Sequence, residues 1–77
     1  MALIKEFEAR PIGGQKLHDE VTCGYRWFDL DGKRVLQLET YGRSERQIPG
    51  KVSQSVQLDE VAARSLKAII ESAFPGV

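Results

Sequence analysis

Asp31-Gly32 stands between two runs dense in aromatic and β-branched residues, and that arrangement constrains the fold more than any other feature of the chain. Asp-Gly between apolar runs is the strongest short-range signal for a β-hairpin, because both turn residues must adopt positive φ. The run before it, Val21 to Asp29, holds Val21, Thr22, Tyr25, Trp27 and Phe28; the run after it extends from Arg34 to Tyr41. A hairpin over 21–41 follows. Val52 to Leu58 alternates Val52, Gln54, Val56 and Leu58 with Ser53, Ser55 and Gln57, which is the period of a further strand.

Asp59 then has the chemistry of a helix N-cap, and Ala62, Leu66, Ile69, Ile70 and Ala73 recur at helical spacing as one apolar stripe. Pro75-Gly76 ends that helix after Phe74. The first nine residues fit either a short strand or a loose terminus. Segment 10–20, with Arg10-Pro11 and Gly13-Gly14, reads as a break and loop. The expectation is a single α+β domain: an antiparallel sheet covered on one face by a C-terminal helix over 59–74.

Alternation divides each strand into two faces. Val21, Cys23, Tyr25 and Trp27 share one face with Leu36, Leu38, Val56 and Leu58, which the helix stripe should cover. Trp27 is therefore expected to be buried beside Tyr25, and Cys23 to be a small buried residue. The outward face collects Arg26, Phe28, Gln37, Tyr41, Ser53, Ser55 and Gln57, with Glu39 as its one acid. Rings among amides, hydroxyls and arginine suit single-stranded nucleic acid, whose bases stack while its phosphates meet cations. The alternative is a solvated antiparallel face.

Charge narrows the reading. Eleven basic and eleven acidic side chains leave no net charge, so bulk attraction to nucleic acid or anionic membrane is excluded. The most cationic stretch is the loop Gly42 to Lys51, where Arg43, Arg46 and Lys51 face one acid, Glu45. His18 is the sole histidine and has no carboxylate pair or phosphate loop beside it, which argues against catalysis and gives no reason to expect a cofactor or small-molecule substrate. With one cysteine and one histidine, the usual Cys/His zinc sites cannot form. No apolar run approaches the ~18 residues of a membrane span. The opening Met-Ala-Leu-Ile-Lys-Glu lacks the order of a signal peptide, so the cytoplasm is the expected compartment.

Residues Gly32-Lys33-Arg34-Val35-Leu36-Gln37-Leu38-Glu39-Thr40-Tyr41, then Pro49-Gly50-Lys51, then Val56-Gln57-Leu58 carry a family resemblance. The chain resembles the positive-coactivator type of single-stranded DNA-binding transcriptional regulator (Whirly-like) from about Tyr25 to Ile70. It departs from that pattern at Ile48 and Ala63, and Glu39 falls where a strand arginine is common. The resemblance implies a strand-rich unit followed by one helix, a homodimer, and a role in transcription regulation. It also implies phosphate contacts by Arg34, Lys51 and Arg26, with Tyr41 as a stacking ring. Together with the face pattern, the candidate nucleic-acid-binding set is Arg26, Phe28, Arg34, Gln37, Tyr41, Arg43, Arg46, Lys51 and Gln54. The competing reading is a small protein-interaction or dimerisation domain.

Overall fold

The computed structural model describes residues 1–41 and 52–77; the basic loop 42–51, with Arg43, Arg46 and Lys51, lies outside the described residues. Four strands and one helix follow in order: β1 (Ala2–Ile4), β2 (Cys23–Leu30), β3 (Lys33–Tyr41), β4 (Val52–Leu58) and α1 (Glu60–Ala73). They form one four-stranded sheet in the order β1-β4-β3-β2. The pairs β2–β3 and β3–β4 are antiparallel, while β1 runs parallel to β4 with Leu3 opposite Gln57. This is the expected α+β class, and the N-terminal segment does form a strand.

The hairpin closes as its sequence requires. Leu30 pairs with Lys33, and Asp31 and Gly32 take φ of 51° and 75°. Positive φ at both turn positions gives a twist that matches that of the flanking strands. Strand β2 begins at Cys23 rather than Val21, because Cys23 opposite Thr40 is the first paired position.

Asp59 caps α1, its carboxylate accepting from the Ala62 backbone N–H at 2.9 Å, and the Phe74 N–H closes the other end on the Ile70 carbonyl at 2.8 Å. A single residue separates β4 from the helix, so α1 can only fold back over β4 and its neighbour β3. Leu58 and Ala62 are the fully buried apolar pair at that junction, each 1% exposed. Leu36, Leu38, Val56 and Leu66 surround them half-buried.

Here two expectations fail, for one reason. The helix packs on β4 and β3 and leaves β2, beyond β3 at the sheet's far edge, largely uncovered. Trp27 and Tyr25 do stand side by side, rings near-parallel with centroids 6.1 Å apart, but they are 60% and 69% exposed. Cys23, on the same strand, is an exposed free thiol. The distal half of the helix stripe is also open, with Ile69, Ile70 and Phe74 exposed.

Candidate nucleic-acid interface

The register fixes what the outward face contains. Gly24 lies opposite Glu39 and Ser55 in adjoining strands; Arg26, Gln37 and Gln57 form the next row; Phe28 and Val35 form the third. Alternation therefore assembles Arg26, Phe28, Gln37 and Tyr41 on one surface, as the sequence implies.

At its centre sits Glu39, only 4% exposed. Arg26 donates to both carboxylate oxygens, from Nε at 3.1 Å and from an Nη at 3.3 Å. Gln37 donates its side-chain amide to one oxygen and the Tyr41 hydroxyl donates to the other at 3.2 Å. Gln57 in turn donates to the Gln37 amide oxygen at 2.9 Å. A carboxylate so enclosed needs this many donors, since an unpaired buried charge is costly. The face presents outward the guanidinium, the amides and the phenol edge, with its acid covered beneath them.

Tyr41 lies across β2 where Gly24 has no side chain. A Cβ at residue 24 would stand 2.6 Å from the Tyr41 hydroxyl and 3.2 Å from the ring. The seat for the phenol is the absent side chain. Neither Gly24 nor Glu39 enters the site predicted from sequence. The signal for both was register: an acid amid Gln37 and Tyr41, opposite a glycine in the paired strand.

Arg34 and Gln54 are not part of this surface. Arg34 pairs with Asp29, and Gln54 with Thr40, on the helix side of the sheet. There Arg34 holds Asp29 through two hydrogen bonds at 3.1 and 3.2 Å. Hydrogen bonding first, and charge second, keep the Asp29 carboxyl below its usual value and raise Arg34 above its own. Trp27, Arg34, Leu36, Leu58, Asp59, Glu60 and Ala63 line an open groove of about 320 Å³ beside the helix start. Asp59 also pairs with Lys5 at 3.0 Å.

Among the described residues no group of three His, Cys, Asp or Glu side chains is placed to hold a metal ion, and no helix is long and apolar enough to cross a membrane. Searches of family models, curated proteins and solved structures found no match to this chain.

Proposed function

We propose that the chain is a non-enzymatic module that binds single-stranded nucleic acid on its outward sheet face, acting as a homodimer in a role akin to transcriptional regulation. The observation that carries this reading is the covered carboxylate. Glu39 would repel phosphate if exposed, yet it is buried under Arg26, Gln37 and Tyr41, so the surface offers donors and two half-buried rings. Phe28 and Tyr41 stack bases at ~1–3 kcal/mol per base, Gln37 meets base edges, and Arg26 meets phosphate. Arg43, Arg46 and Lys51, in the sequence between β3 and β4, are further cations available to phosphate.

Surface area supports the homodimer. The chain exposes 7112 Å², whereas a compact chain of its mass exposes about 4,700 Å². The surplus exceeds the roughly 1,600 Å² that a typical interface buries in total. Tyr25, Trp27, Ile69, Ile70 and Phe74 are the exposed apolar residues a second copy would cover. The same residues favour the second reading, a protein-interaction domain whose helix-side face engages a different protein.

Fluorescence anisotropy with single-stranded and duplex oligonucleotides at two salt concentrations separates the readings. Binding to the single strand that weakens steeply with salt supports the proposal, because phosphate contacts release counterions. Arg43→Glu with Arg46→Glu should weaken binding to every sequence and flatten the salt slope. Tyr41→Ala should lower affinity and leave the slope nearly unchanged. An absence of binding at low salt rejects the nucleic-acid reading.

A further inference from the structure

The segment 5–22 connects two places that lie far apart in the sheet. Strand β1 ends with Ile4 beside Leu58, on one edge; β2 begins with Cys23, in the row of Thr40 and Gln54, on the other edge and toward the opposite end. Three strand spacings of about 4.8 Å and four residues of about 3.3 Å make the direct path about 20 Å. Eighteen residues can extend to about 60 Å. The connection is roughly three times longer than its own sheet requires.

Beyond Phe7, which is 36% exposed, burial does not hold it to that sheet. Ile12 and Leu17 are 95% and 101% exposed, and Val21 is 49% exposed. The ion pair of Arg10 with Glu8 and the bond from the Gly13 N–H to Gln15 are local to the segment. The radius of gyration is 14.8 Å, against about 11.5 Å for a compact domain of this length. Strand β1 itself is three residues long, held at an edge by its pairing with β4 and by Lys5 on Asp59.

We propose that β1 is exchanged between two copies of this chain: the first strand of each pairs with β4 of the other, and the segment 5–22 crosses over the other's open apolar face. The proposal rests on the homodimer reading above and goes beyond it by naming which element crosses. Exchange preserves every β1–β4 hydrogen bond and the Lys5–Asp59 pair. It adds cover for Ile12 and Leu17, which lie open along the path within one chain, and for the exposed Tyr25–Trp27 pair. A long tether makes either path sterically open; the apolar residues along it select the crossing one.

The test is a disulfide across the β1–β4 register. Leu3→Cys and Gln57→Cys are introduced together in a Cys23→Ser chain, oxidised at low micromolar concentration and run without reductant. Exchange predicts a covalent species of twice the 8.6 kDa chain mass. Mixing the two single-cysteine chains should likewise yield a covalent heterodimer. Ala2→Cys with Val56→Cys reads the adjacent pair, should the first double variant disturb the fold. A disulfide confined within single chains, in a protein that sediments as a dimer, overturns the exchange and leaves the dimer standing. A chain that sediments as a monomer overturns both.

Discussion

Glu39 organises its face through the donors around it, and the consequences can be read residue by residue. Glu39→Leu would leave the Gln37 amide and Tyr41 hydroxyl without their acceptor and free Arg26. Loss of a buried acceptor typically costs about 1–3 kcal/mol, which urea unfolding would register. Gly24→Ala should act on the same network from the opposite strand. The new methyl must displace the Tyr41 hydroxyl, which lies 2.6 Å from where the Cβ would stand. The two variants differ in a useful way. Glu39→Leu removes negative charge from the face, so oligonucleotide affinity should rise or hold while stability falls. Gly24→Ala leaves the charge intact and misplaces the ring, so affinity should fall. If Gly24→Ala binds like the parent, Tyr41 does not contact the strand.

Among the elements, the helix depends most on its first turn, since Ala62 is its one buried residue. Asp59 holds that turn. The Ala62 N–H, then the Lys5 bond, keep its carboxyl below the ordinary value of 3.8. The folded state thus takes up this proton less readily than the unfolded chain. The stabilisation is complete above the unfolded pKa and is lost as pH falls through the lower folded value. Thermal melts should therefore show stability declining below about pH 4. Asp59→Asn, which still caps, should flatten part of that decline; the rest includes Asp29, also held low by Arg34. A parent whose melting temperature does not change down to pH 2 would contradict this. The elements themselves were legible in the sequence. Asp31-Gly32, the alternation 52–58 and the Asp59 cap are local signals, and local chemistry decides them. Strand order is not local: the one-residue link from Leu58 to the helix dictated that α1 covers β4 and β3. Trp27, with the same pattern as Leu36, stayed exposed on the far strand. Of the candidate site, alternation correctly grouped Arg26, Phe28, Gln37 and Tyr41. Arg34 entered the set through the family resemblance and Gln54 as a candidate for the rim, whereas alternation with Leu36 and with Val56 places both on the helix side.

At the level of the whole molecule, the distribution of burial separates what folds the chain from what joins it to another. Leu58→Ala removes the largest fully buried side chain among the described residues and should cost about 2–5 kcal/mol, readily seen by chemical denaturation. Trp27→Ala should barely alter the unfolding of dilute protein, yet shift sedimentation equilibrium toward monomer at tens of micromolar. Equal effects of the two variants on dilute stability would mean that Trp27 is part of the core. The sheet's two ends are also unlike. One is closed by three residues of β1, whereas β2 offers eight residues, Cys23 to Leu30, paired on one side only. Its second row of backbone amides and carbonyls forms a template on which another extended chain can crystallise strand by strand. Tyr25 and Trp27 sit on that rim. Growth of the sheet thus has a direction, outward from β2, and concentrated or heated protein should build ordered aggregates from that rim.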